Sequence, residues 1–421
     1  MLLIKQEWSE EKVEEEFSKL EENWELSQFE REELKNKQFI LKRRNNMTFR
    51  TSEWVSPGHP DKVADGISEY ILDKLLKFDP NVRYALEVQL KGNFVSLAGE
   101  ITTSCDVNED DYKHFAKEAV NRIGYTKEYQ EKWGKENTIC GDDLNVICNI
   151  SQQSPNIAEG VNNNGWGDQG VFTGYAEDGT KFNTPLDKAL ARSLGLTLYY
   201  NAYDNNVGGL DIKTQVTVDD TDKVEQIVVA IPVLTDSEME EIRTVIQYWL
   251  EVTKGINYLK DEQIIVNGTG TYQMHGPIAD SGITGRKLAV DFYGNNAPIG
   301  GGCPWTKDGS KADLALNLYA REQALKGLKL YQNNCYDLHD KDYVNPVPAH
   351  HAIYQLCSCI GRMDSFGTLK VFDKHDNILY TMSEEIEISP KELIERYGLK
   401  KPIYFDLCSN GLWENDYEWN G

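Results

Sequence analysis

The sequence predicts an α+β protein with mixed sheets, and three observations carry that reading. Short runs rich in Val, Ile, Tyr and Phe alternate with helical patterns in blocks of strand–helix–strand–strand, the order of an α+β fold. Hydrophobic residues make up 40% of the 421 residues, the share of a folded chain. That length gives room for roughly two to four domains with real cores. No close internal repeat is visible.

Charge and cysteine usage narrow the function. The formal net charge is −24, which argues against nucleic acid or an anionic membrane as partner. An anionic substrate would need a local basic pocket working against the overall field. No apolar run approaches the ~18 residues of a membrane span. The N-terminus lacks a signal-peptide pattern, so the expected location is the cytoplasm. Eight cysteines are scattered without a C-x-x-C pair. Cys357 and Cys359 alternate in IYQLCSCIG, a strand-like run expected to place both on one face as buried thiols. The seven histidines form no ligand spacing, and His350 and His351 follow VNPVPA, which reads as loop.

Residues 1–46 stand apart as a Glu- and Lys-rich arm. Val13, Phe17, Leu20 and Trp24 recur at helical spacing after Ser9, and Ser27 with Glu30 makes a capping box for a second helix. A docking or oligomerisation arm is expected, with Met47 as a second candidate start. The core then opens on TFRTSEWVSPGHPDKVADGISEYILDKLLKFDP. Pro57, Gly58 and Pro60 mark a turn. From Asp61 a helix is predicted, with Val63, Ile67, Ile71 and Leu75 along one face. His59 and Asp61 sit at its N-terminal end, where the dipole favours an anion, although Asp is also an ordinary cap. The strands RYALEVQLKG and FVSLAGEITTS follow, carrying Glu87 and Glu100. A Glu inside an apolar strand is costly unless it is paired or bound to a cation.

Next come a helix over 112–123, the strand LNVICNISQQSPNI, and the Gly- and Asn-rich loop EGVNNNGWGDQG. GVFTGYA leads into a helix over 186–202. GGLDIKTQVTVDD and QIVVAIPVL read as strands, and SEMEEIRTVIQYWLEVT as a helix capped by Ser237. A helix over 313–328, the strands IYQLCSCIG and TLKVFD, a helix over 390–397 and an aromatic tail complete the chain.

The segment 276–313, GPIADSGITGRKLAVDFYGNNAPIGGGCPWTKDGSKAD, gathers the most chemistry. Leu288–Val290 reads as a buried strand, continued by Phe292 and Tyr293. Asp280, Arg286 and Lys287 precede it; Gly300–Gly302, Lys307, Lys311 and Asp313 follow. Glycines let a backbone approach a ligand, and bases on both flanks can converge on a polyanion. The plain alternative is a strand between two solvated loops. The Walker pattern G-x-x-x-x-G-K-[ST] is absent, since Lys307 is followed by Asp308.

TSEWVSPGHPDKVAD, LAGEITTS, SQQSPNIAEGV, GWGDQGVFTGYA, DIKTQVTV, ADSGITGRKLAVDFYG and GGGCPWTKDGSKAD occur in this order. Together they closely resemble the S-adenosylmethionine synthetase (methionine adenosyltransferase) family, from about Phe49 to the tail PIYFDLCSNGLWENDYEW. The resemblance implies three pseudo-symmetric α+β domains, expected at 47–155, 166–276 and 277–421 after the helical arm 1–46. It implies ATP and L-methionine as substrates. S-adenosylmethionine is formed by sulfur attack on C5′, and the tripolyphosphate is then hydrolysed to phosphate and diphosphate. It implies two Mg2+ per site and K+. It also implies a homodimer or homotetramer with active sites between subunits.

Residue by residue, the resemblance implies triphosphate contacts from His59, Lys213, Arg286, Lys287 and Lys307. Asp211, Tyr272, Asp280 and Cys303 fall at further ATP-binding positions, and Glu100, Gln153, Asp168, Asp280 and Lys311 at methionine positions. Asp61 and Asp313 match magnesium-side carboxylates, and Glu87 the potassium-side glutamate. Charge accumulates on the departing triphosphate, so oriented cations suit the chemistry. No general base is needed for the first step, because a thioether sulfur is already nucleophilic.

The chain also departs from the family. Trp54 and Pro57 replace its Ser and Glu, and Thr271 and Tyr272 replace its Arg and Phe. Its HGGGAFSGKD reads IGGGCPWTKD, and the loop after Gly160 is shorter. Two alternatives accompany the enzyme reading: a weakened relative serving as a regulatory subunit, and a tripolyphosphatase. The full triphosphate set argues against the first, and Glu100, Gln153 and Lys311 argue against the second.

Overall fold

The computed structural model describes residues 48–152, 165–253, 259–337 and 347–420, without the side chains of 334–337 and 418. The arm 1–46, Gln153 and the loop 160–164 lie outside the described residues. Among the described residues, Arg50–Val218 with Asp222–Gly421 forms one compact unit.

Three four-stranded sheets organise this unit, as expected of an α+β fold. In the first, β2 (Arg83–Lys91) and β3 (Phe94–Thr102) form an antiparallel hairpin. The helix α1 (Pro60–Leu76) packs against β2. After the crossover helices α2 (Glu109–Ile123) and α3 (Lys127–Trp133), β4 (Asn145–Ser151) adds parallel to β3. The second sheet repeats the plan. Helix α4 (Leu186–Asn205) precedes the hairpin β6 (Lys213–Asp219)–β7 (Val224–Ala230). Helix α5 (Asp236–Val252) then leads to a parallel β8 (Ile264–Val266). The third, β10 (His351–Ser358), β11 (Asp364–Phe372) and β12 (Ile378–Glu387), is antiparallel throughout.

Each sheet is completed by a strand from far along the chain. β9 (Gly282–Ile283) adds to β2, β1 (Phe49–Val55) to β6, and β5 (Gly170–Glu177) to β10. In all three cases the added strand takes the outer edge of the first strand of a hairpin. Helix α7 (Ala312–Asp337) covers β5 and β10. Its Arg321 is fully buried and donates to the carbonyls of Tyr175, Phe182 and Asn183. The C-terminal helices α8 (Pro390–Arg396) and α9 (Tyr404–Asn410) lie against α7 and α1 respectively. No helix among the described residues is long and apolar enough to cross a membrane.

The sequence misleads at several points. Leu288–Val290 is not a strand but part of a one-turn helix, α6 (Leu288–Asp291), between left-handed Gly285 and Gly294. A short apolar run reads alike in either state. Here three anchors fix the helix: Lys188 donates to the Val290 carbonyl (2.8 Å), Lys62 pairs with Asp291 (2.8 Å) and Trp413 donates to the Phe292 carbonyl (2.9 Å). Helix α5 is capped by Thr235, whose Oγ1 accepts from Glu238 N (3.1 Å), not by Ser237. His351 opens β10 and stacks on Phe372 with ring centres 4.6 Å apart, whereas His350 is loop as expected. β10 ends at Ser358, which leaves Cys359 exposed beyond the strand and Cys357 half-buried within it.

Candidate active site

Helix α1 presents the first half of the site. His59 is its N-cap and Pro60 its first residue, a pairing suited to a helix start. His59 Nδ1 accepts the N–H of Asp61 (3.2 Å), so the neutral ring carries its proton on Nε2. Burial, then the neighbouring Lys287 and Lys213, push His59 down to about 3, so it is a neutral donor. Asp61 is buried. It accepts from Lys287 Nζ (2.8 Å) and from Ile283 N (3.0 Å), with Arg286 at 3.8 Å. Burial opposes its ionisation, but the Lys287 and Ile283 hydrogen bonds outweigh it and hold the carboxyl below its usual range.

Asp211 joins this group from the segment before β6 and accepts from Gly276 N (2.9 Å). Burial lifts it to about 6; the Gly276 bond and Lys213 work the other way, and Asp280 adds to the rise. Tyr272 lies close enough to Asp211 for the two to interact, and burial raises its hydroxyl. His59, Asp61, Asp211, Lys213, Tyr272, Asp280, Arg286 and Lys287 therefore form one electrostatic group.

The outer edge of β2 holds the second half. Toward its C-terminal end β9 pairs at Gln89 and Leu90, and Thr284 N donates to the Val88 carbonyl (3.0 Å). Toward its start Leu86 N donates to the Thr306 carbonyl (2.9 Å), and Ala85 bridges Lys307. Glu87 stands between the two segments. It does not point into the core: β2 alternates, and Glu87 is on the solvent face. Its carboxylate takes the hydroxyls of Thr284 and Thr306, the latter at 3.2 Å.

Lys307 meets Asp313, in the first turn of α7, at 2.9 Å. Burial works against its charge, but Asp313 outweighs it, helped by Cys303 and Asp168, so the ammonium is raised. A Cβ on Gly302 would come within 2.1 Å of Asp313 Oδ1, so only glycine lets this backbone close on the carboxylate. Burial first, then Asp65, raises the Cys303 thiol. Lys311 is half-buried just before α7, with its N–H on the Asp308 carbonyl (3.0 Å). Glu100 falls on the same cross-strand rung: Ser151, Glu100, Ala85 and Lys307 are successive partners across four segments. Adjacent strands lie about 4.8 Å apart, so the Glu100 and Lys307 backbones are about 10 Å apart on one sheet face.

Several residues at the site escaped the sequence reading. Thr284 hydrogen-bonds Glu87, and beneath the surface Lys62, Asp65, Glu69 and Asp291 brace the loops. Among the described residues no group of three or more His, Cys, Asp or Glu is placed to hold a metal by itself.

Comparison with known proteins places the chain in a family. Sequence profiles of the N-terminal, central and C-terminal domains of S-adenosylmethionine synthetase match residues 47–155, 163–272 and 274–330. The S-adenosylmethionine synthase of Brachyspira hyodysenteriae is 33% identical over 390 residues, covering 86% of this chain and 92% of that protein. That of Acholeplasma laidlawii is 34% identical over 393 residues, covering 88% and 95%. A solved structure described as an unusual S-adenosylmethionine synthetase from Campylobacter jejuni superposes with a TM-score of 0.75 at 29% identity, covering 89% of this chain and 96% of that one. With three domain profiles in order and a third of its residues shared over most of its length, the chain belongs to the S-adenosylmethionine synthetase family.

Proposed function

We propose that the chain is a working methionine adenosyltransferase that joins ATP and L-methionine to S-adenosylmethionine, then hydrolyses the tripolyphosphate to phosphate and diphosphate. One observation carries this: two carboxylate–lysine pairs, Asp61–Lys287 and Asp313–Lys307, have their lysines on two segments fixed to the same edge of β2. Arg286, Lys213 and the Nε2–H of neutral His59 add donors beside the first pair. Such a set stabilises a triphosphate most as it gains charge on leaving. Glu100 and Lys311 lie on the Lys307 side and would hold methionine, with Asp168 and Asp280 near the reacting atoms. Asp211, Tyr272 and Cys303 would line the nucleotide.

Asp61 and Asp313 suit magnesium. That ion favours one or two carboxylates completed by phosphate oxygens, so the lack of a larger acidic cluster among the described residues fits it. When bound, it would neutralise triphosphate charge. Glu87 with two threonine hydroxyls is an all-oxygen set that suits potassium. Exposed Phe366, Ile378, Tyr380 and Met382 on β11 and β12 support self-association as a dimer or tetramer. Active sites shared between subunits, and work in the cytoplasm, belong to the same reading.

The test is one incubation with ATP, magnesium and potassium, with and without methionine, following S-adenosylmethionine and phosphate. Methionine-dependent S-adenosylmethionine is expected. A companion incubation with tripolyphosphate in place of ATP separates the alternatives: if no S-adenosylmethionine forms, phosphate from tripolyphosphate would make the chain a tripolyphosphatase, and none would make it a regulatory relative.

A further inference from the structure

Four acidic residues stand on α1 at steps of four: Asp61, Asp65, Glu69 and Asp73. Each accepts a backbone N–H from another segment. Asp61 takes Ile283 (3.0 Å), Asp65 takes Gly285 (2.9 Å) and Glu69 takes Thr306 (2.6 Å). Asp73 takes Tyr404 (3.0 Å) and Phe405 (2.9 Å), the start of α9. Gly285 directly precedes Arg286 and Lys287, and Thr306 directly precedes Lys307. One helix, through its periodicity, thus grips the backbone beside three of the cations that face the triphosphate.

The two middle acids are expensive. Asp65 and Glu69 are fully buried, and one oxygen of each, Asp65 Oδ2 and Glu69 Oε2, lacks a hydrogen bond; Lys62 Nζ stands 3.1 Å from the former. Apolar side chains of that size would suit a core better. Thr306 adds a second cost. It is β-branched yet held at φ 71°, a left-handed conformation such residues avoid. Glu69 on its N–H, Leu86 on its carbonyl and Glu87 on its hydroxyl hold it there.

We propose that Glu69, seconded by Asp65, is a positioning residue: through the Thr306 N–H it keeps the strained turn that aims Lys307 at the leaving triphosphate. The proposal rests on the transferase reading given above. Glu69 touches no substrate. A displacement of about 1 Å in a group acting on the transition state costs on the order of 100-fold in rate.

The test compares Glu69→Gln, which keeps an oxygen for the Thr306 N–H, with Glu69→Met, which fills a similar volume and accepts nothing. Glu69→Gln is expected within about threefold of the parent kcat, and Glu69→Met lower by roughly 30- to 100-fold with the KM for methionine unchanged. Amide hydrogen exchange over 303–309 should speed up in Glu69→Met and not in Glu69→Gln. Equal kcat in the two variants, or equal exchange over 303–309, overturns the proposal. A Glu69→Met enzyme that only melts earlier does so as well. Should Glu69→Met not fold, Asp65→Asn against Asp65→Leu gives the same comparison at Gly285. If the parent makes no S-adenosylmethionine, the transferase reading fails; the exchange measurement still decides whether Glu69 holds the turn.

Discussion

Lys307 Nζ and the Asp313 carboxylate lie 2.9 Å apart, a pair formed across the turn that opens α7. Each charge is the other's partner; on the proposed function a triphosphate would compete for the lysine and a magnesium ion for the aspartate. Removing the lysine should therefore be felt most when the leaving group gains charge. Lys307→Met is expected to lower kcat by about 10²–10³, as loss of one oriented donor does elsewhere. Steady-state kinetics checks it; an unchanged kcat with a raised KM for ATP would reduce Lys307 to ground-state binding.

Glu87 draws together the hydroxyls of Thr284 and Thr306, one from each segment on the β2 edge. Glu87→Val should still fold, because the site faces solvent and valine suits a strand. Its activity should no longer respond to potassium. A potassium titration against lithium at constant ionic strength reads this, and full activation in the variant would remove Glu87 from the cation site.

His275 is buried between Tyr129 and Trp133. Its Nδ1–H meets the Gln273 carbonyl (2.6 Å), and its Nε2 accepts the Tyr129 hydroxyl (2.6 Å), so the ring is neutral. Burial pushes it down to about 4. The unfolded chain takes up this proton first, near the ordinary value of about 6.5. The stabilising contribution is thus complete above pH ~6.5 and is lost as pH falls toward ~4, on the order of 3 kcal/mol in all. His275→Asn should flatten that part of the stability–pH curve in urea titrations. Parallel curves for parent and variant would refute the assignment.

Trp413 is fully buried and stacks nearly parallel on Tyr293 with ring centres 5.1 Å apart, its Nε1–H on the Phe292 carbonyl. It fastens the tail to the segment that carries α6. Trp413→Ala should cost about 3–5 kcal/mol through the cavity and the lost stack. A lower urea midpoint at unchanged slope is the expected signature.

Much of this was readable in advance, for physical reasons. Val63, Ile67, Ile71 and Leu75 announced α1 because one period of four already defines a face. Asp65 and Glu69 share that period, yet acids on a helix ordinarily face water. Only the packing of two loops onto the opposite face reveals what they hold. The strand expected at Leu288–Val290 failed because side chains over 100 residues away in sequence, Lys62, Lys188 and Trp413, decide its backbone. Cap identity at Thr235 over Ser237 turned on two residues of phase, finer than pattern alone provides.

The way each sheet borrows its fourth strand bears on how the chain can be made. As the polypeptide leaves the ribosome, β1 waits for β6, β5 for β10, and β2 for β9. A segment ending near residue 155 would carry β1 with nothing to pair and β2 with an open edge. Such pairings join strands well over 100 residues apart in sequence, so loop closure is slow and final consolidation comes late. A nascent chain stalled before residue 282 should be protease-sensitive and prone to edge-to-edge association, and both should end only once β10 as well as β9 has been released.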